Sequence, residues 1–160
     1  MKRVLFICTH NAARSQMAEG YLRARYGGRY EAFSAGTVAA EVHPLAVRVM
    51  AELGIEISGQ RSRDLGRFIG EEMDVVVTVC DAAKIACPIF PGAKSTVHAS
   101  FPDPSAATGT EEERLAVFRV VRDEIAAWID AAFGGAGSFD DIHPGPDAAD
   151  GIRPGSRKEG

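Results

Sequence analysis

Two uninterrupted apolar runs set the architecture: Val4 to Ile7, and Val75 to Val77 within the DVVVTV stretch from Asp74 to Val79. Both are short and rich in β-formers, and both are apolar at every position rather than every second one. That is the pattern of strands in a parallel sheet covered on both faces. Helical patterns lie between and after them. From about Arg14, Met17, Ala18, Tyr21 and Leu22 share one face, and Gly27-Gly28 ends the pattern. Pro44 suits a first helical turn, with Leu45, Val49, Met50 and Leu53 as the stripe and Gly54 as the stop. Thr110 and Glu113 match a capping box ahead of a stripe of Leu115, Phe118, Val121, Ile125, Ile129 and Ala132. Phe118 and Trp128 read as core. Tyr30 to Ser34 and, more weakly, Ser95 to Ala99 read as further strands.

Strands alternating with helices imply βαβ units with right-handed crossovers. The expected fold is α/β: a three-layer sandwich around a central four-stranded parallel sheet, with flavodoxin-like topology. Ligands in such folds bind beyond the carboxyl ends of the strands. Cys8 and Cys80 each end a predicted strand, so neighbouring strands would turn both thiols into one crevice. Residues 1–133 are expected to form one domain. The stretch 134–160 is dominated by Gly, Pro and Asp, and a disordered tail is expected there.

The formal net charge is −4 and the pI about 5.6. An acidic chain is not drawn to nucleic acid or to an anionic membrane surface, so neither is expected as a partner. MKRVLFICTHN reads as a first strand rather than a signal peptide. A cytoplasmic location is expected, where the three cysteines stay reduced. An odd number of thiols there suggests reactive or redox chemistry, or plain buried thiols.

Residues 8–15 read Cys-Thr-His-Asn-Ala-Ala-Arg-Ser. A loop from a strand into a helix N-terminus can turn its N–H groups inward as an anion nest, here Thr9, His10, Asn11, Ala12 and Ala13. The helix dipole adds partial positive charge, and Arg14 brings a planar fork of donors suited to a tetrahedral oxyanion. These features favour Cys8 as a thiolate nucleophile. Ser15 is placed to donate a hydrogen bond to it. Asn11 tolerates a left-handed backbone. His10 is expected to shape the loop.

These residues carry a resemblance. Cys8 through Gly20 (CTHNAARSQMAEG), Phe33-Ser34-Ala35-Gly36, Val76 through Cys80, Cys87-Pro88 and Phe101-Pro102-Asp103-Pro104 together resemble the low-molecular-weight protein tyrosine phosphatases and the arsenate reductases built on the same fold. The match runs from the first strand to about Phe133. The resemblance implies that Cys8 attacks the central atom of an oxyanion, that Arg14 binds its oxygens, and that Asp103 acts as general acid. Phosphatase relatives carry aromatic residues after the Asp-Pro pair, whereas this chain continues Ser105-Ala106-Ala107 and offers a phenyl ring no stacking partner there. Cys80 and Cys87 are a pair that a phosphatase does not need.

The reductase resemblance therefore implies arsenate as substrate, with phosphate or sulfate as competing oxyanions, and arsenic detoxification as the role. It implies a relay: Cys8 attacks arsenate, Cys80 attacks Cys8, Cys87 attacks Cys80, and thioredoxin reduces the final disulfide. No cofactor is required. Some related reductases bind a potassium ion beside the loop, and Asn11, Glu19, Ser34 and Asp64 match that pattern. If Asp81 caps a helix, Cys80 and Cys87 lie about 10 Å apart along its axis. A disulfide needs Cα atoms within about 4.4–6.8 Å, so residues 80–90 are expected to change order between redox states. The alternatives are a small phosphatase, with reductase thiols reduced to packing, and a non-catalytic redox or anion-binding module. A glutaredoxin-coupled variant is disfavoured, because two internal resolving thiols make an external one unnecessary.

Overall fold

The computed structural model describes residues 1–38, 40–80 and 90–135. Cys87, most of the 80–90 segment expected to respond to redox state, and the tail from 136 onward lie outside the described residues. Four strands, β1 (Lys2–Cys8), β2 (Tyr30–Gly36), β3 (Met73–Thr78) and β4 (Ala93–His98), form one sheet in the order β2-β1-β3-β4, with every neighbouring pair parallel. Three helices of more than one turn are described: α1 (Arg14–Tyr26), α2 (Pro44–Ala51) and α3 (Glu111–Phe133). The fold is the expected α/β one.

The apolar runs explain the layering. Val4, Leu5, Phe6 and Ile7 are each fully buried, and successive residues of a strand point to opposite faces, so β1 is covered on both. Val75, Val76 and Val77 do the same in β3. β4 alternates buried and exposed residues, which is why its sequence signal is weak. β2 runs two residues further than its apolar pattern suggests, because Ala35 pairs with Ile7 and Gly36 with Cys8.

The expected stripe on α3 is buried from Leu115 to Ala132, and the capping box forms as read: the Glu113 amide donates to Thr110 Oγ1 at 3.1 Å and the Thr110 amide to Glu113 Oε1 at 2.8 Å. Trp128 departs from the reading. It sits beside the stripe rather than on it, so its ring is half-buried at the rim, edge-on to Phe133. His43, to which the sequence assigns no role, caps α2 by accepting from the Leu45 amide and packs its ring on Phe118. The hydroxyls of Tyr21 and Tyr26 both donate to Asp130, tying α1 to α3. No helix among the described residues is long and apolar enough to cross a membrane.

Helix α1 is not a simple amphipathic helix. Ser15, Gln16 and Glu19 are buried together with Met17, Ala18 and Leu22. Burying polar side chains costs free energy unless each finds partners, so the first two turns of α1 must be a hydrogen-bonding device as well as a packing one.

Candidate functional site

β1 and β3 are neighbours, and the Val79 amide donates to the Ile7 carbonyl at 2.9 Å. Their carboxyl ends therefore bring Cys8 and Cys80 to the same edge of the sheet. Both are buried thiols. A cleft of about 680 Å³ opens there, lined by Thr9, Arg14, Cys80, Ser100, Phe101, Pro102 and Asp103. A pocket of about 20 Å³ beside it is lined by Cys8, His10, Ala12, Ala13, Arg14, Asp103 and Ser105. Arg14 and Asp103 belong to both. Thr9 Oγ1 lies 3.4 Å from Cys80 Sγ and so links the loop to the second thiol.

The loop is held from below. Asn11 is the non-glycine residue with positive φ among those described, at 52°, and it is fully buried. Gly36 packs against the same turn: a Cβ there would lie 2.7 Å from the Thr9 carbonyl oxygen and 2.8 Å from the Asn11 amide nitrogen. Only glycine lets the end of β2 approach this closely. The Val38 amide donates to the Thr9 carbonyl, the His43 amide to the Ala12 carbonyl, and the Ser62 hydroxyl to the His10 carbonyl. The His10 side chain is exposed; its backbone, not its imidazole, is what shapes the loop.

Cys8 Sγ lies 2.9 Å from Ser15 Oγ, as expected. Asn11 Nδ2 donates to that same hydroxyl at 2.7 Å. Ala13 precedes α1 without offering a side-chain cap. The first N–H groups of a helix have no partner within it, so here they remain for the loop's ligand. Arg14 lines the small pocket with Cys8, Ala12 and Ala13, and its guanidinium also reaches the opposite wall of the cleft. Its Nη1 donates to the Phe101 carbonyl at 3.0 Å, and its Nη2 is 3.8 Å from Asp103 Oδ2. The guanidinium is parked across the cleft mouth.

Asp103 precedes the one-turn helix Pro104–Ala106, and both the amide and the hydroxyl of Ser105 donate to its Oδ1, at 3.0 and 2.7 Å. Partial burial alone would raise its carboxyl, but the Ser105 hydrogen bonds, the Arg14 charge and His10 together hold it below the ordinary value.

The four residues that match a potassium site in related reductases have the following partners. Ser34 donates to Glu19 Oε1 and Arg23 forms an ion pair with Glu19 Oε2, so a guanidinium already supplies the positive charge there. Asn11 Oδ1 accepts from Gln16 Nε2 and the Arg63 amide, and Asp64 accepts from the Gly66 amide. No group of three or more His, Cys, Asp or Glu side chains placed to hold a metal occurs among the described residues.

Sequence reading missed Gln16, Gln60 and the 61–63 segment. Gln16 Nε2 donates to Asn11 O, Asn11 Oδ1 and Arg61 O at 2.9–3.0 Å. The signal was a polar residue flanked by Ser15 and Met17 inside a helix that must pack on both sides.

Comparison with known proteins agrees with this geometry. Residues 3–133 match the profile of the low molecular weight phosphotyrosine protein phosphatases. A protein named arsenate reductase from Halalkalibacterium halodurans is 47% identical over 124 residues, which is 78% of this chain and 89% of the relative. A solved structure described as an arsenate reductase in the phosphate binding state superposes with a TM-score of 0.65 at 32% identity, covering 81% of this chain and 95% of that one. A low molecular weight protein tyrosine phosphatase from T. tengcongensis gives 0.67 at 29% identity, covering 81% and 96%. With the family profile matched over residues 3–133, the chain belongs to the low molecular weight phosphotyrosine protein phosphatase family.

Proposed function

We propose that this protein is an arsenate reductase working through three thiols. The observation that carries the reading is Cys80: a second buried thiol opening onto the cleft beside the Cys8 loop, linked to it through Thr9. Hydrolysis of a phosphate ester has no use for it. The relatives named arsenate reductase support the same reading.

The chemistry is as follows. Arg14 leaves the Phe101 carbonyl and, with the loop N–H groups, binds arsenate. The Cys8 thiolate attacks arsenic, and one oxygen leaves as water after protonation, with Asp103 as the acid. The Cys80 thiolate then attacks Cys8 Sγ. The S–As bond breaks with its electron pair passing to arsenic, which leaves as arsenite, and a Cys8–Cys80 disulfide forms. Cys87 attacks Cys80 Sγ and frees Cys8 as a thiolate. A thioredoxin dithiol reduces the Cys80–Cys87 disulfide. Each later step is thiol–disulfide exchange, and two electrons pass from thioredoxin to arsenic overall. Phosphate and sulfate compete for the loop without being reduced. No metal or organic cofactor takes part.

The test is arsenate-dependent NADPH consumption with thioredoxin and its reductase, on the wild type and on Cys87→Ser. Turnover that collapses in the variant supports the relay. Absence of turnover in both, with aryl phosphate hydrolysis intact, would establish the phosphatase reading instead. That second reading rests on the family's shared Cys8–Arg14–Asp103 arrangement, and weak aryl phosphate hydrolysis is expected as a side activity.

A further inference from the structure

We infer that Gln16 and Gln60 are positioning residues for the Cys8 thiol, the middle links of a hydrogen-bond chain of fixed polarity from Arg23 to Cys8. The inference rests on the reading of Cys8 as the nucleophile. The chain runs through five contacts. Arg23 Nη1 donates to Gln60 Oε1 at 3.0 Å, Gln60 Nε2 to Gln16 Oε1 at 2.7 Å, Gln16 Nε2 to Asn11 Oδ1 at 2.9 Å and Asn11 Nδ2 to Ser15 Oγ at 2.7 Å. Ser15 Oγ then lies 2.9 Å from Cys8 Sγ.

The direction of every link follows from groups whose role is not open to choice. A backbone N–H can only donate, and the Arg63 amide meets the Asn11 side chain at 2.8 Å, so the atom it meets is the oxygen and the amide nitrogen faces Ser15. A carbonyl can only accept. Gln16 meets the carbonyls of Asn11 and Arg61 with one side-chain atom, which must be its nitrogen, leaving its oxygen toward Gln60. Gln60 therefore turns its nitrogen to Gln16 and its oxygen to Arg23, and a guanidinium is a donor only. Both ends of the chain agree.

The consequence falls on Ser15. A hydroxyl has one proton, and Asn11 Nδ2 already occupies one of its lone pairs. The proton points to Cys8 Sγ, where it stabilises the thiolate. In the reverse polarity Ser15 would donate to Asn11 and present a lone pair to sulfur, which repels the thiolate. Gln16 is fully buried. Gly20 keeps the route open: a Cβ there would lie 3.2 Å from Gln60 Oε1 and 2.5 Å from Ile57 Cγ2. The charged and titratable groups facing Cys8 directly, His10, Arg14 and Asp103, are separate from the chain.

The experiment measures Cys8 alkylation by iodoacetamide in the full chain carrying Cys80→Ser and Cys87→Ser, alone and with Gln16→Glu or Gln60→Met. Gln16→Glu keeps the shape but loses the donors. It is expected to lower the rate at about pH 7 by about tenfold, the size of one lost hydrogen bond to a charged group. Gln60→Met, remote and only half-buried, is expected to lower it about threefold through the weakened chain. Both deficits should vanish at about pH 9.5, where the thiolate forms without help. Wild-type rates at neutral pH in both variants, or a deficit unchanged at high pH, would overturn the inference. Gln60→Met alone decides it if Gln16→Glu does not fold. Arsenate turnover by Cys8→Ser would overturn the nucleophile reading instead, and leaves the alkylation result readable on its own.

Discussion

Arg14 lines the Cys8 pocket and is bonded to the Phe101 carbonyl at 3.0 Å. On the proposed reading an oxyanion competes with the Phe101 carbonyl and with the Asp103 carboxylate, 3.8 Å away, for the same guanidinium. Arg14→Lys keeps the charge and loses the planar fork. The specificity constant for arsenate, kcat/KM, is expected to fall by about 10²-fold, the scale for removing one oxyanion donor. Steady-state kinetics with thioredoxin would measure it, and a fall below threefold would deny Arg14 a part in binding the anion.

Ser105 holds Asp103 ionised by two hydrogen bonds. A carboxyl held below its ordinary value stabilises the fold above the unfolded-state value, and that contribution is lost as pH falls through the depressed one. Ser105→Ala removes the hydroxyl donor. The Asp103 titration, followed by carboxyl carbon NMR, is then expected to move upward, and with it the alkaline limb of aryl phosphate hydrolysis, where a general acid loses its proton. An unmoved titration would mean that the Ser105 amide and Arg14 suffice.

Gly36→Ala places a Cβ against the backbone of Thr9, His10 and Asn11. Backbone cannot step aside as a flexible side chain can, so the loop or the end of β2 must shift. A stability loss of about 1–3 kcal/mol is expected from overpacking, read by urea denaturation, with phosphate affinity falling in parallel. Unchanged affinity would mean that the loop keeps its shape by itself.

Tyr26 is pushed up to about 12, first by its hydrogen bond to Asp130, then by burial and by the Asp130 charge. A raised tyrosine stabilises the fold below its unfolded value, and the contribution disappears as pH rises through about 12. Asp130→Asn should return Tyr26 toward its ordinary range in an alkaline absorbance titration and leave arsenate reduction unchanged, since α1 and α3 meet there far along the chain from the Cys8 loop. A retained high value would point to burial as the cause.

The frame of this protein is legible in its sequence where the physics is local. Apolar runs apolar at every position gave β1 and β3, and Thr110 and Glu113 gave the start of α3, because a strand covered twice and a reciprocal cap each need particular residues at fixed spacing. The Cys8-to-Ser15 loop was legible for the same reason. What escaped reading is what depends on packing between distant segments. Gln60 meets Gln16 only because Gly20 lets residues 55–60 lie against α1, and Arg63 reaches Asn11 only because the Arg63 carbonyl receives the Gly36 amide. The Glu19–Arg23 ion pair was illegible for the same reason: Arg23 is one helical turn after Glu19, and nothing in the spacing says whether it points outward or back to the carboxylate.

Helix α1 begins at Ala13 without a side-chain cap, at a position where Ser, Thr, Asp or Asn would add about 1 kcal/mol. On the proposed function, an oxyanion in the loop would take the place of that missing residue. Folding and anion binding would then draw on the same donors and be thermodynamically linked, and the melting temperature is expected to rise with the phosphate content of the buffer. A hundredfold excess of anion over its dissociation constant stabilises the folded chain by about 2.7 kcal/mol. Stabilities measured in phosphate and in an anion-poor buffer describe two different ligation states of one molecule.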